Sequence, residues 1–272
     1  MGQEPPGFVP KVFGPRLISL PNRYEHSICL SRDGRECYFT VRAANWSSSQ
    51  IMITRLVNGK WTQPVPFFFG NMCPSLADND QSLYFIGVGA KVWRVRRLQA
   101  GSGTQWQYQP EVLPAPVNVP EPGWSCHISS LGNLWTCSWR PGGLDRCDLW
   151  RIRSVGGQFT EAVNLRNLNT PGFDCYPVPG PNEDYVVFSS DRPGGHGRTD
   201  LYVSFPDGQG GWLAPRNLGP PINSPTGEVS PYLSPDHKYL FFARETSTDA
   251  DIYWVRVEAF LPDTNGPVFN LS

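Results

Sequence analysis

The chain contains no long apolar run, no large excess of charge of one sign and no sustained helical period. No stretch approaches the roughly 18 consecutive apolar residues that a membrane-spanning helix needs. The formal net charge is −1, and Lys and Arg are scattered along the chain, so the basic surface of a nucleic-acid binder is missing. We therefore expect a soluble protein without a nucleic-acid or membrane partner.

Several catalytic motifs are also absent. The chain has no Gly-x-Ser-x-Gly elbow, no phosphate-binding loop and no His-Glu-x-x-His, so serine-hydrolase, nucleotide and zincin interpretations lack support. Residues 1–7 show no charged segment followed by an apolar stretch, and a signal peptide is therefore not visible. The compartment stays open, because a periplasmic or secreted protein whose signal had been removed would look the same.

The cysteines do not predict a disulfide framework. There are seven of them, an odd number, without a Cys-x-x-Cys pair or zinc-finger spacing. Cys29 and Cys37 flank one turn, and Cys126 and Cys137 flank another, so each pair is placed to face across a hairpin. We interpret them as small buried apolar residues on adjacent strands.

The chain does contain a repeated sequence motif. Arg-Pro-Gly-Gly followed by Asp-Leu and an aromatic residue occurs at 140–150 and again 52 residues later at 192–202. Looser copies lie at 31–53 and 234–253. A spacing near 50 residues is too long for a hairpin and is typical of one blade of a β-propeller. The 272 residues are therefore predicted to form a single repetitive domain.

Each unit shows short runs of β-branched and aromatic residues separated by turn formers, enough for four strands. Aligned inner strands open near 25, 71, 125, 174 and 228, with spacings of 46, 54, 49 and 54 residues. The prediction is an all-β fold over 1–272, a five-bladed β-propeller of four-stranded antiparallel blades closed into a ring. Segment 15–21 is predicted to supply the outer strand of the last blade, and segment 267–271 competes for that place.

These units resemble the TolB-type, WD40-like β-propeller repeats. The resemblance is carried by Ser-Pro-Asp at 234–236 before an aromatic strand, and by residues 189–195 followed by Asp-Leu-Tyr at 200–202. The second unit departs from the pattern, with Ala-Asp-Asn-Asp at 77–80 in place of the turn. The resemblance covers essentially the whole chain and implies the propeller fold. It implies little about function, because such repeats serve as periplasmic scaffolds, peptidase companions and lyase domains.

The Arg and Asp of the repeated motif are interpreted as structural residues. Arg192 with Asp200, and Arg244 with Asp251, occupy equivalent places in successive units. A pair that recurs in this way fits a charge-assisted hydrogen bond that ties a loop to its strand. Chemistry is expected instead where the inner strands converge on the channel axis.

Five polar residues open the predicted inner strands: Glu25, Asn71, Ser125, Asp174 and Glu228. Carboxylates aimed at one axis repel unless they are protonated or bridged by a cation, and oxygen ligands of this kind suit Ca²⁺. Two residues further on lies a second ring, made of Ser27, Cys73, His127, Tyr176 and Ser230. Cys73 and His127, with Cys175 or His26, form an alternative Zn²⁺ set. A third interpretation leaves the acidic residues as plain acceptors for backbone amides.

The predicted function is a metal-dependent hydrolase of a small ester, lactone or phosphotriester, with glycosides less favoured. The site is similar in composition to the calcium site of paraoxonase and the fluorophosphatases, which have six blades and a different repeat. That similarity implies a cation that polarises the substrate oxygen, with His127 as general base and His26 as its substitute.

The alternative is a non-catalytic propeller that docks a ligand, a protein or a peptide, and it predicts an exposed apolar or aromatic patch on one face. Three tryptophans have no role in the repeat: Trp46, Trp124 and Trp139. Trp124 precedes an inner strand, where it is placed to wall a substrate pocket, to stack on a sugar or simply to pack.

Overall fold

The computed structural model of the protein describes residues 2–100, 103–107, 109–121, 123–144 and 146–261. Across these ranges the fold is all-β. The helical segments found there are four short 3₁₀ turns: Val88–Ala90, Arg166–Leu168, Pro181–Glu183 and Val257–Ala259. Within the same residues no helix has the length and apolar character needed to cross a membrane.

Strand β1 (Lys11–Val12) precedes five antiparallel groups of strands. The first group comprises β2 (Tyr24–Leu30), β3 (Glu36–Arg42), β4 (Ser49–Val57), β5 (Lys60–Trp61) and β6 (Val65–Phe69). The second comprises β7 (Met72–Ala77), β8 (Ser82–Ile86), β9 (Val92–Ala100), β10 (Gly103–Trp106) and β11 (Glu111–Val112).

The other three groups repeat this arrangement more simply. The third comprises β12 (His127–Ile128), β13 (Leu134–Ser138), β14 (Asp148–Val155) and β15 (Gln158–Asn164). The fourth comprises β16 (Asp174–Pro179), β17 (Val186–Ser190), β18 (Asp200–Ser204) and β19 (Arg216–Asn217). The fifth comprises β20 (Gly227–Leu233), β21 (Tyr239–Glu245) and β22 (Ala250–Arg256).

Each group runs outward in chain order from its inner strand, which is β2, β7, β12, β16 or β20. The fifth and first groups share one nine-stranded sheet, joined by a parallel pairing of Tyr24 with Ala250. Four-stranded antiparallel sheets of this kind fit the blades of a propeller. The second strands β8, β13 and β17 are buried along their whole length, and β3 and β21 along most of theirs, which fits their aromatic and β-branched composition.

The turn after the inner strand is built from short polar side chains. The Ser31 hydroxyl donates to Asp33 Oδ1 (2.6 Å), and Ser234 does the same to Asp236 (2.6 Å). The next position has a left-handed backbone, occupied by Gly34 (φ 66°) in the first group and by His237 (φ 56°) in the fifth. The Ser-x-Asp-Gly pattern therefore predicts a turn, because its side-chain hydrogen bond and its left-handed position both stabilise one.

Four of the inner strands carry a β-bulge at the same place. The register shifts within β2, β7, β16 and β20. One residue of each bulge takes a left-handed backbone: Ser27, Cys73, Tyr176 and Ser230, with φ between 51° and 55°. A bulge redirects a side chain relative to the regular alternation of the strand.

Strand β1 completes the fifth group. Lys11 and Val12 pair antiparallel with Trp254 and Tyr253 of β22. The prediction that 15–21 forms this strand is corrected, because the left-handed backbones of Gly14 (φ 58°) and Arg16 (φ 68°) fold that segment into a turn. The competing segment, 267–271, lies outside the described residues.

One interpretation of the cysteines also changes. Cys137 is joined to Cys175 of the fourth group by a disulfide and does not face Cys126 across a hairpin as a free thiol. The described free cysteines, Cys29, Cys37, Cys73, Cys126 and Cys147, are all buried.

The third and fourth groups are locked together by a buried carboxylate. Glu183 Oε1 accepts hydrogen bonds from Ser129 Oγ (2.7 Å), Asn133 Nδ2 (2.9 Å) and Trp135 Nε1 (2.9 Å). Arg151 donates to the other oxygen (3.2 Å). Every one of these donors belongs to the third group, so a single side chain holds two neighbouring sheets in register.

Replacing Glu183 by alanine is expected to lower the free energy of unfolding by about 3 kcal/mol, because the change leaves buried donors without an acceptor. Glu161→Ala is the matched control, since it also removes a glutamate paired with an arginine of β14. The Glu161 and Arg153 side chains are 60% and 52% exposed, against 6% for Glu183, so the control should cost less than about 1 kcal/mol. Urea unfolding measures both; equal losses would contradict the role assigned to Glu183.

Candidate functional site

The five inner strands converge on one small cavity of about 30 Å³. All five strand groups contribute polar side chains to its lining: Ser27, Cys73, Ser125, His127, Tyr176 and Ser230. A water needs roughly 10–15 Å³ of such volume, so the axis has room for about two waters and none for an organic molecule. An organic ligand can therefore approach the axis only at its two ends.

The composition of the axial ring corrects the alignment of the third group. Ser125 was predicted beside Glu25, but it lies in the ring with Ser27, and His127 lies two residues beyond it. The reason is that Gly123 pairs with Ser138 where Asp174 pairs with Ser190 in the fourth group. The distance of Ser125 from the Gly132-Asn133 turn indicates this register. The polar character that Ser125 shares with Glu25 does not.

The predicted carboxylate ligands are each engaged by a neighbouring arginine. Arg192 Nη2 donates to Asp174 Oδ1 (2.8 Å), and Arg244 Nε donates to Glu228 Oε1 (2.8 Å). These pairs replace the predicted partners of the two arginines, which were Asp200 and Asp251. The cause is the strand register: Ser190 lies opposite Asp174, so an arginine two residues later reaches back to that carboxylate.

The remaining oxygens of these groups are also occupied. Asp174 Oδ2 accepts from the backbone and hydroxyl of Thr170 (2.6 and 2.8 Å). Glu228 accepts from the hydroxyl and backbone of Ser224 (2.5 and 3.1 Å). These hydrogen bonds join the loop that enters each inner strand to the first carboxylate of that strand. The acidic residues therefore hold the loop against the strand.

Glu25 is the exception, because only one of its oxygens is satisfied. Its Oε1 pairs with Arg23, while Oε2 is buried without a hydrogen-bond partner in the described structure. Burial raises the pKa of Glu25 to about 7, although Arg23 opposes the shift. A lone carboxyl in this state does not form a multidentate cation site.

Neither predicted metal set is assembled. Among the described residues, the one group of three Cys, His, Asp or Glu ligand atoms within 4.8 Å of one another is Cys137, Cys147 and Cys175. The Asn71 amide donates to the Phe69 carbonyl (2.7 Å) instead of turning an oxygen to the axis. Cys73 lies against Ser27 Oγ (3.4 Å), away from Cys175. The residues therefore do not fit a shared calcium or the proposed zinc.

EDTA is accordingly expected to leave the melting temperature unchanged, whereas Asp174→Ala should cost about 3–5 kcal/mol by leaving Arg192 unpaired. Asn71→Ala is the control, because it removes a predicted ligand that makes no ion pair; we expect less than about 1 kcal/mol. Thermal melts with and without EDTA, together with metal analysis, provide the measurement. Stoichiometric calcium whose removal lowers the melting temperature would overturn the assignment.

His26 is buried at the end of the axis where the inner strands begin. Its Nδ1 lies 2.7 Å from Ser27 Oγ and 3.5 Å from Ser230 Oγ. Its Nε2 is buried and has no hydrogen-bond partner among the described groups. Burial, together with the positive charge of Arg42, lowers the pKa of His26 to about 3. The imidazole is therefore neutral at neutral pH.

The low pKa of His26 predicts acid sensitivity. Between about 3 and 6.5 the unfolded chain binds a proton that the folded chain does not, so stability falls as the pH drops through this window. From pH 7.5 to 5 this contributes about 2 kcal/mol. Unfolding at both pH values should show a smaller loss for His26→Gln than for the wild type. His196→Gln, at an exposed loop position, should keep the wild-type loss; equal behaviour of the two variants would contradict the prediction.

His127, the predicted general base, lies toward the other end of the axis, so His26 is not placed to substitute for it in one site. It borders the axial cavity and also a wider cleft of about 520 Å³ formed where the inner strands end. Burial, together with His237 on the same cleft, lowers the pKa of His127 to about 4. Both histidines predicted as bases are thus neutral at neutral pH but lie toward opposite ends of the axis formed by the inner strands.

The end at which the inner strands begin carries exposed aromatic side chains. Trp46, Phe69, Trp124 and Trp139 are 45%, 75%, 36% and 47% exposed. Trp46 and Trp139 lie in loops that follow second strands, and Phe69 and Trp124 precede inner strands, which places all four at this end. We call these four residues the aromatic face.

Three contacts hold the tryptophans of this face. Trp124 and Trp139 form an edge-to-face pair with centroids 4.9 Å apart. The Arg42 guanidinium lies 3.8 Å from the Trp46 ring centre, and its Nη2 donates to Glu245 Oε1 (2.7 Å). Trp46 also packs 5.6 Å from the His26 ring. The face is therefore preorganised directly above the axial ring, to which the Cys73 thiol connects it through the Trp124 carbonyl (3.7 Å).

No protein-family model matches the chain, and no curated protein matches it. Solved structures do match. An α-L-arabinofuranosidase from Lactobacillus brevis aligns with a TM-score of 0.56 at 11% identity, over 92% of this chain and 95% of that one. A gluconolactonase from Xanthomonas campestris aligns with 0.51 at 9% identity, over 88% and 87%.

TolB from Acinetobacter baumannii aligns with a TM-score of 0.52 at 13% identity, over 85% of this chain. The chain spans about half of that protein, which is covered to 54%. TolB and other propeller proteins are thus its structural neighbours, and at these identities the likeness concerns the fold.

Proposed function

We propose that the protein is a propeller of the TolB-like kind that binds a sugar-containing ligand on its aromatic face. The observation that carries the proposal is the set of three partly exposed tryptophans, each held by a defined contact, around the entrance to a closed axis. Large aromatic side chains rarely stay exposed together on one face without a partner.

The chemistry of the face suits a sugar. A sugar ring has apolar C–H faces that stack on indole rings and hydroxyls that need polar partners at the rim. Beside Trp46 the Arg42 guanidinium and the Glu245 carboxylate are paired and both buried, so they hold the indole ring in place and do not form the polar rim. For Glu245, burial favours a higher pKa, but the hydrogen bond and charge of Arg42 outweigh it and hold the pKa low. The carboxylate therefore stays an acceptor near neutral pH.

Two of the structural neighbours bear names that refer to sugar chemistry, a gluconolactonase and an α-L-arabinofuranosidase. Their likeness lends weight to the fold, and their names suggest which ligands to try first.

The proposed architecture is a ring of five blades. Five inner strands line one cavity, and β1 from the beginning of the chain becomes the outermost strand of the fifth group. A last blade built from strands near both ends of the described residues closes a ring without a covalent link.

A hydrolase of a small ester, lactone or phosphotriester is the second candidate. It is favoured by the pair of His26 Nδ1 and Ser27 Oγ at 2.7 Å, which is within the reach of a base and a nucleophile. The pair lies beneath the aromatic face and uses no metal. A third group that orients the imidazole is missing among the described residues, since Nε2 has no partner.

Affinity electrophoresis in gels that contain arabinan, xylan or a glucan tests the leading proposal. We expect at least one polysaccharide to retard the wild type. Trp139→Ala should weaken binding at least tenfold, the loss typical of an aromatic hot spot. Trp61→Ala is the control, because Trp61 pairs with the end of β4 that lies away from the face.

No retardation by any polysaccharide, or equal losses in both tryptophan variants, would overturn the sugar proposal. The same preparation is assayed with an aryl ester, a lactone and a phosphotriester. Turnover that disappears in Ser27→Ala and in His26→Gln would establish the second candidate instead.

A further inference from the structure

Three buried cysteines meet between the third and fourth strand groups, and one of them, Cys137, accepts a backbone hydrogen bond from Trp124 of the aromatic face (2.8 Å). Cys137 lies in β13, Cys175 lies in β16, and Cys147 directly precedes β14. The Sγ atoms of Cys147 and Cys175 are 4.0 Å apart, and all three sulfurs lie within 4.8 Å of one another. Each of these residues is fully buried.

Backbone pairing brings the third thiol to the other two. Cys147 forms a parallel bridge with Phe173, and its carbonyl accepts from the Asp174 amide (2.9 Å). That bond joins the start of β14 to the start of β16. The neighbouring Arg146 side chain is 61% exposed, so the cluster lies one residue from the surface.

We propose that, when the disulfide is reduced, Cys137, Cys147 and Cys175 form a binding site for a single soft monovalent metal ion, with Cu(I) as the best match. Thiolates select soft ions such as Cu(I) over hard ones. With metal–sulfur bonds of about 2.3 Å, the sulfurs of a flat three-coordinate site are about 4 Å apart. The Cys147 to Cys175 separation already has this value.

The number of ligands favours Cu(I) over Zn²⁺. Structural zinc takes four ligands in a tetrahedron, and among the described residues no His, Asp or Glu ligand atom lies within 4.8 Å of all three sulfurs. Full burial also keeps water away from the ion, which suits an easily oxidised metal.

Oxidation and metal binding exclude each other here. A dithiol reductant gives two electrons and two protons to the Cys137–Cys175 disulfide, which becomes two thiols while the reductant becomes a disulfide. Each metal–sulfur bond that then forms replaces one S–H bond, and the proton passes to solvent. The oxidised chain keeps a single free thiol in the cluster, that of Cys147.

The test is an anaerobic titration of the full chain with Cu(I) in competition with a chromophoric Cu(I) chelator. The protein is used either oxidised or reduced and then freed of reductant. Reduced wild type should hold one ion in this site, and X-ray absorption should count three sulfur neighbours. Oxidised wild type should bind at least about tenfold more weakly.

Cys147→Ser is the decisive variant, because it removes one ligand and leaves the disulfide pair intact. In the reduced state it should lose more than about tenfold in affinity and fall to two sulfur neighbours. Cys126→Ser, another buried cysteine outside the cluster, should behave like the wild type. Cys147→Ala replaces the serine variant if a buried hydroxyl prevents folding, as judged by circular dichroism.

The proposal is overturned if reduced Cys147→Ser binds as tightly as the wild type, if Cys126→Ser loses as much, or if the oxidised wild type binds as tightly as the reduced one. The last comparison needs no variant, so it decides even when substitutions at Cys147 disturb the fold.

Discussion

The structure depends on how closely the five inner strands approach one axis. The cavity left between them has a volume of about 30 Å³. The repeated β-bulge places four residues around this cavity: Ser27, Cys73, Tyr176 and Ser230. Because the middle of the axis is closed to anything larger than water, an organic ligand can approach the axis only at its two ends. One end carries the aromatic face, and the other carries the cleft lined by His127 and His237.

The close approach of the inner strands also explains why their acidic residues are paired with arginines. Asp174 and Glu228 open their inner strands with no exposed surface, and a buried carboxylate is tolerated when donors surround it. Arg192 and Arg244 arrive from the neighbouring strand and supply the charge that a metal would otherwise have to supply. The carboxylates that open these inner strands are thus paired with nearby arginines and loop groups, and they hold the loop against the strand.

Buried sulfur plays a similar part between sheets. The Cys137–Cys175 disulfide and the Glu183 carboxylate both join the third and fourth groups, one covalently and one through four donors. At this boundary Cys147 also adds a third sulfur. Side chains from separate groups thus meet at the sheet boundary as well as at the axis.

The repeat period, the turn signals and the strand composition determined the all-β fold and the places of its sheets, because each depends on residues within one unit. Observed inner strands start at 24, 72, 127, 174 and 227, within two residues of the aligned openings. The tertiary structure alone decided which side chains meet. Neither the pairing of Arg192 with Asp174 nor the Cys137–Cys147–Cys175 cluster has a sequence spacing that signals it, since both depend on cross-strand register. The bulges and the two-residue shift in the third group set that register, and a one-residue error in it moves every side chain to the other face.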